Sequence, residues 1–437
     1  MSGAEIARLS LPKRPTAVAC LFLFVAAGVA GAASGIWHEL AVNVVLLVLG
    51  LVVIRHVVLL AAAMRVHTPS AAMESLPAVS AVMPAYNEEA VIEEALESLA
   101  ALDYPDLEII LIDDGSIDAT LKRAHRFAAR HPRTALRILS QNNSGKASAL
   151  NTGIKHARGE FVLCVDADSR LRADAIRRAL PHFTDPTVAA VGGAVEIANQ
   201  GNLLTRFQQL EYRIGLNFTR RALSYFGAVT VVPGPIGLFR RQALLAAGGY
   251  DERCDLFAED ADLTVRLLSG GWQVRGELSM VAYTEAPQSI SALLRQRYRW
   301  KRGLYQAFDA NLLTLLVAPK LRGVFIALFL GLECFVLDVL NFAMLLFFLS
   351  HILFHGEIRP ILSAYLLIVV LDLSTLLYVG RGMTARISAA GWLMLQRFTY
   401  AHALLVWAVL ALFDEWRSSR MDWDKLERLG RGWERHA

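Results

Sequence analysis

Apolar residues crowd the two ends of the chain, while the middle alternates between short apolar runs and polar stretches with helical spacing. Long apolar runs occupy residues 16–36, 40–64, 324–349, 361–379 and 392–413. Each is close to the ~20 residues that a helix needs to cross ~30 Å of hydrocarbon. The pattern predicts about five spans, placed on both sides of a polar centre. The first run also has features of a cleaved leader, with Arg8, Lys13 and Arg14 before it and small residues at 30–34. A second apolar run begins almost at once, which favours a span.

In the centre, residues 79–83, 108–112, 136–139 and 161–165 read as strands. Residues 88–101, 119–131, 144–157 and 174–183 read as helices, with a further helix at 262–269 ended by Gly270 and Gly271. Strands alternating with helices of about ten to fifteen residues imply an α/β domain with a mainly parallel sheet and right-handed crossovers. Ligands of such sheets bind beyond the carboxyl ends of the strands. Those ends carry Asn87 and Glu88, Asp113 and Asp114, and Asp166 and Asp168. A polar site is therefore expected there whatever the family.

Composition supports the order membrane, soluble, membrane. The chain is 55% hydrophobic and 19% charged, against about 25% charged in a soluble domain. Lysine and arginine set orientation. Arg8, Lys13 and Arg14 precede the first run, Arg65 follows the second, and the connector at 37–39 has neither type. The N-terminus and the centre are thus expected on the cytoplasmic side. Arg55 lies inside the second run and reads either as snorkelling or as the point where a span gives way to an interfacial helix. Three later spans would put the tail outside, yet Arg417, Arg420, Lys425, Arg428, Arg431 and Arg435 favour inside. One later segment then reads as re-entrant or interfacial. The net charge of +4 is too small and dispersed to argue for nucleic acid. Cys20, Cys164, Cys254 and Cys334 have no zinc spacing and read as reduced and structural.

Several strings carry chemistry. Asp166 and Asp168 end a strand two residues apart, with the Ser169 hydroxyl beside them. Such a set suits a hard divalent cation that also takes substrate phosphates, or else a solvated turn. Asp113 and Asp114 precede Gly115 and Ser116, where an acid accepts from a base or ribose or merely makes an Asp-Gly turn. Lys146 follows Gly145 at a helix start, a place that favours an anion. Glu259 and Asp260 lead into another helix, as dipole partners or as a general base. Gln296, Arg299 and Trp300 lie in a basic run before a span, either as a positive-inside anchor or as a diphosphate clamp and a sugar-stacking ring. Glu333, Asp338, Asn341 and Asp372 fall in the later spans, where an acid costs about 2.5–3.5 kcal/mol on insertion scales. They read equally as channel lining and as helix–helix hydrogen bonds.

Taken in order, PAYNEE (84–89), DDGS (113–116), NSGKASALN (143–151), DADS (166–169), PGPIGLFRR (233–241), AED (258–260) and QRYRW (296–300) resemble the processive family-2 glycosyltransferases. These include the cellulose, hyaluronan, chitin-oligosaccharide and poly-N-acetylglucosamine synthases. The resemblance covers about residues 77–310. It implies a GT-A catalytic fold and inversion at the anomeric carbon. It places Asp113, Asp114 and Lys146 at the uridine side of a UDP-sugar, and Asp166, Asp168 and Arg299 at the diphosphate. Asp168 would sit on Mg²⁺ or Mn²⁺. Asp260, with Glu259 beside it, would deprotonate the acceptor, and Gln296 and Trp300 would hold the acceptor sugar. Ala258 departs from the Thr or Ser that the family often has there, so one hydroxyl contact is missing. The length resembles the shorter synthases, without the extension that carries a cyclic-dinucleotide sensor in bacterial cellulose synthases.

The expected organisation is a tail and two spans (1–74), a cytoplasmic GT-A domain (75–288), interfacial amphipathic helices with QxxRW (289–320), about three spans (321–413) and a tail (414–437). The expected activity is processive polymerisation of a UDP-sugar into a β-linked exopolysaccharide, with UDP-N-acetylglucosamine the leading donor and UDP-glucose next. The expected setting is the inner or plasma membrane. Expected partners are the donor, the growing polysaccharide, the lipid bilayer and a small membrane accessory subunit, with no nucleic acid. Transfer of one sugar to a lipid carrier is an alternative, as is a non-catalytic transporter or scaffold. Intact carboxylates argue against the scaffold.

Overall fold

The computed structural model describes residues 38–67, 69, 76–199, 201–253, 256–318, 321–356, 358–379 and 386–417. The apolar run at 16–36, the tail beyond 417, Cys20 and Cys254 lie outside the described residues. Cys164 and Cys334 are free and buried.

The strands are β1 (Val79–Ala85), β2 (Leu107–Asp113), β3 (Leu136–Ser140), β4 (Phe161–Cys164), β5 (Ser169–Leu171), β6 (Val188–Ile197), β7 (Gly237–Arg240) and β8 (Gln273–Thr284). They form one sheet in the order β3-β2-β1-β4-β7-β6-β8-β5. The first four pair in parallel, as the alternation of strands and helices predicts. β7 joins β4 and β6 antiparallel, β6 and β8 are parallel, and β5 is an antiparallel edge. Pro84 does not end β1 as expected. The register of β4 on β1 stops at Val82, so Pro84 has no β4 partner that would need its missing N–H.

Period-two alternation gives the sheet two apolar faces. Ala81, Met83, Ile109 and Leu111 pack on one side. Val82, Ile110 and Ile112 pack on the other, in a core that also holds Tyr305, Leu330, Cys334 and Leu412. One face of the sheet thus shares its core with the helices that follow the domain.

Those helices differ from expectation in two places. Residues 289–320 contain one continuous helix, Ile290–Leu316, in place of several short ones. Its length lets one rigid element reach from the sheet to the apolar helices. The run at 392–413 is two helices, Arg386–Phe398 and Tyr400–Trp416, bent by 42°. A broken span and a re-entrant loop both have this geometry. Val42–Arg65, Leu321–Leu353 and Ile361–Val379 are each long and apolar enough to cross a membrane. The expected 174–183 helix stops at Ala179 and continues as a 3₁₀ turn, Leu180–Thr184, which holds Pro181.

The charges inside the apolar helices are paired. Arg55 meets Glu333, with Nη2 to Oε2 at 2.8 Å. Lys301 Nζ lies 2.6 Å from Asp338, and Arg397 Nη2 lies 2.6 Å from Asp372. Pairing explains these acids as ties between helices, and Arg55 does not snorkel. Of these acids Glu333 also lines the main cavity, as do the cations Arg55 and Lys301.

Candidate active site

The carboxyl ends of β1, β2 and β4 open onto a cavity of 1320 Å³. Asp114, Lys146, Asp166, Asp168, Glu259, Asp260, Gln296, Arg299 and Trp300 all line it. These residues come from separate loops and helices, and the fold brings them to one space.

Lys146 is the hub. It opens the Lys146–His156 helix, and its Nζ lies 2.8 Å from Asp166 Oδ1 and 2.8 Å from Glu259 Oε1. Burial opposes its charge, but Asp166, Glu259 and Asp260 outweigh burial and hold the ammonium well above its ordinary pKa. Burial raises Asp166 despite Lys146. Burial also opposes ionisation of Glu259, yet the Lys146 charge wins and lowers it.

Asp260 stands apart from its neighbour. Its helix begins at Glu259, three residues before the expected start, so both acids sit in the first turn. Burial and the adjacent Glu259 charge push Asp260 up to about 6. Its Oδ2 accepts from Gly234 N at 3.3 Å, and its Oδ1 accepts from Ala261 N at 2.8 Å. At Gly234 a side chain would press on the site. A Cβ there would lie 2.9 Å from Asp166 Oδ2 and 2.9 Å from Lys146 Nζ. The PGP turn therefore touches the base candidate on one side and the Asp166–Lys146 pair on the other.

The two aspartates of DDGS part company. Asp114 accepts from Gln141 Nε2 at 2.8 Å, Ser144 N at 3.0 Å and Gly145 N at 2.9 Å. Its oxygens are spent on the loop that presents Lys146. Asp113 is buried, does not line the cavity, and has an Oδ1 with no hydrogen-bond partner. The expectation that both face a ligand directly does not match this placement. Ser169 is buried in β5, and its Oγ donates to Asp168 Oδ1 at 3.2 Å. It steadies that acid instead of offering a third free oxygen.

The pair Asp166 and Asp168 fits a divalent cation only in part. Among the described residues no group of three or more His, Cys, Asp or Glu is arranged to hold a metal. Two carboxylates on a cavity wall suit an ion whose remaining ligands are substrate phosphates and water.

The cavity does not end at the sheet. Its far wall includes Arg55, Phe329, Leu330, Glu333, Leu404 and Ala408, all from apolar helices. Two π-helical stretches, Glu211–Asn217 and Leu332–Val336, also contribute to the wall. Such turns recur at functional sites. Sequence reasoning missed Glu211 and Tyr212, and took Arg297 only as one charge of the basic run. No local spacing marks them, because Glu211 and Arg297 lie far apart in the chain.

Residues 80–246 match the family described as Glycosyl transferase family 2. The chain carries a family-2 glycosyltransferase domain. It is 30% identical over 249 residues to the poly-beta-1,6-N-acetyl-D-glucosamine synthase of Staphylococcus epidermidis, covering 57% of this chain and 60% of that protein. It is 31% identical over 236 residues to the protein of that name in Staphylococcus aureus strain COL, covering 54% of this chain and 56% of the relative. The matched region thus spans less than two thirds of either relative. A mannosyltransferase from Pyrobaculum calidifontis, in complex with GDP-Man and Mn²⁺, has a TM-score of 0.58 at 22% identity, covering 91% of this chain and 99% of that one. The likeness establishes a GT-A-type fold for the glycosyltransferase domain, with apolar helices following it.

Proposed function

We propose that the protein is a membrane-embedded, inverting glycosyltransferase that extends a β-linked polysaccharide from a UDP-sugar and feeds it toward the apolar helices. UDP-N-acetylglucosamine is the favoured donor, in keeping with the names of the staphylococcal relatives. One observation carries the reading: a single cavity runs from Lys146 and Asp166, past Asp260 and Trp300, to Arg55 and Glu333 on the apolar helices. A site for one small acceptor needs no such reach.

Charge and position support these roles. The acceptor hydroxyl oxygen attacks the anomeric carbon as its proton passes to Asp260. The bond from that carbon to the diphosphate oxygen breaks, and UDP leaves with the electron pair. A general base works best when its pKa is near the working pH, and Asp260 at about 6 meets that need. Lys146, which the resemblance put near the uridine, pairs with Asp166, so its charge and that of Arg299 would stabilise the negative charge gathering on the leaving diphosphate. Asp166 and Asp168 would hold Mg²⁺ or Mn²⁺, which supplies further charge stabilisation there. Asp114 presents Lys146, and Asp113 supports the same strand end. Gln296 and Trp300 hold the acceptor sugar.

The domain layout follows the same reading, with the catalytic domain on the cytoplasmic side of a multi-pass inner or plasma membrane protein. A small membrane accessory subunit is a further proposed partner. The purified chain with Mg²⁺ and UDP-N-acetylglucosamine should release UDP and form long products, while Asp260→Asn should bind UDP without turnover. A product carrying one added sugar on lipid would replace polymerisation with single transfer. Preference for UDP-glucose would replace the donor. Failure with every common UDP-sugar would remove the enzymatic reading.

A further inference from the structure

Behind Trp300 lies a set of contacts that catalysis, as described, does not use. The Arg297 guanidinium stacks over the Trp300 ring, with Cζ 4.2 Å from the ring centroid. Its other edge forks onto one carboxylate: Nε lies 2.9 Å from Glu211 Oε1, and Nη2 lies 2.7 Å from Glu211 Oε2. Tyr400, the first residue of the last apolar helix, donates its hydroxyl to Glu211 Oε2 at 2.5 Å. Tyr212 adds a second ring 6.2 Å from Trp300.

Arg297 is buried and Glu211 takes both arms of its fork, so it is not available to clamp a diphosphate. It also donates to Gln296 Oε1. A guanidinium only donates, so this contact turns the Gln296 carbonyl toward Arg297 and leaves its amide N–H groups for a sugar hydroxyl. One ring face of Trp300 is occupied by Arg297, and a sugar can stack only on the other. The same cluster thus orients both proposed acceptor contacts, and Glu211 sits on the π-helical wall of the cavity.

We propose that Glu211 and Arg297 are a positioning pair that sets Trp300 and Gln296 for the acceptor sugar, and that Tyr400 fastens this pair to the last apolar helix. The proposal rests on the acceptor role given above to Trp300. It makes Glu211 a residue that acts on acceptor handling without touching donor, and it ties the acceptor platform to the bent helix pair.

The test uses the full chain in lipid nanodiscs with UDP-N-acetylglucosamine, other common UDP-sugars and a short soluble β-linked N-acetylglucosamine oligosaccharide. UDP release is followed against each substrate, and products are sized. Glu211→Gln and Arg297→Lys should each raise the acceptor KM roughly tenfold and shorten the products. Donor KM should stay at the wild-type value, while thermal melting falls in Glu211→Gln and Arg297→Lys, because the pair is buried, and stays near wild type in Tyr400→Phe. Lysine keeps the charge but lacks the planar fork, so it should not rescue. Tyr400→Phe removes only a hydroxyl and should give a rise of about threefold. This milder variant decides the matter if Glu211→Gln does not fold. An unchanged acceptor KM in Arg297→Lys and Tyr400→Phe, with an active wild type, overturns this proposal alone. So does a parallel fall of kcat, both affinities and melting temperature, which marks a fold brace. A wild type inactive with every UDP-sugar overturns the reading of the site and this proposal together.

Discussion

Lys146 Nζ lies 2.8 Å from Glu259 Oε1, and that contact joins the nucleotide side of the cavity to the helix that carries Asp260. The same nitrogen holds Asp166. Removing Lys146 leaves two part-buried carboxylates without their shared cation and takes positive charge from the nucleotide side. Lys146→Met should therefore lower kcat/KM by about a hundredfold, with UDP affinity reduced as well. UDP-release kinetics and UDP binding by calorimetry check this. Lys146→Met with wild-type kinetics would remove the lysine from the site.

Asp260 sets the acid limb of the pH profile. Its carboxyl is raised from the ordinary range to about 6, so it is protonated at a higher pH than a free aspartate. The base form is complete above that value and is lost as pH falls through it. Free-enzyme kcat/KM should thus fall about tenfold per unit below about pH 6. An acid limb that breaks at about 4 would show that the carboxyl is not raised, and an acid limb unchanged in a still-active Asp260→Asn would exclude Asp260 as the base.

Gly234→Ala tests how tightly the site is packed. The new methyl would lie 2.9 Å from Asp166 Oδ2 and from Lys146 Nζ. Displacements near 1 Å cost on the order of a hundredfold in rate. Turnover should drop by about that factor while thermal melting changes little. Wild-type rates in Gly234→Ala would show that the Asp166–Lys146 pair has room to move.

Gly303 makes the matching contact between helices. A Cβ there would lie 2.4 Å from Ala258 Cβ and 2.6 Å from Ala258 N, at the entry to the Asp260 helix. Gly303→Ala should destabilise the protein by about 1–3 kcal/mol through overpacking. Thermal melting in detergent measures it. The close approach also suits the alanine at 258, because a larger residue there would meet the Ile290–Leu316 helix.

Chelation tests the cation. EDTA should abolish UDP release, and Mg²⁺ or Mn²⁺ should restore it. Asp168→Asn should raise the metal concentration needed for half-maximal rate by about tenfold or more. Full activity in EDTA would leave Lys146 and Arg299 as the whole of the positive charge at the diphosphate.

Much of this protein was legible before any coordinates. Apolar runs of membrane length predict the three helices that, among the described residues, are each long and apolar enough to cross a bilayer, because hydrocarbon thickness acts on sequence directly. Short buried strands between helices predict β1 to β4 and their parallel pairing, since that order leaves few topologies. Acids at strand ends pointed to the cavity for the same reason.

The mixed half, β5 to β8, was not read from the sequence, because its strands pair over long separations and carry no local signal. Likewise the sequence shows two aspartates in DDGS, and only the fold decides that Asp114 is spent on the Lys146 loop while Asp113 turns into the sheet. It shows isolated charges in apolar runs, and only packing pairs Arg55 with Glu333. Spacing along a chain encodes what neighbours in sequence can do together. Which distant side chain cancels a buried charge depends on where the chain returns, and Glu211 meets Arg297 only because the sheet and the apolar helices share a core.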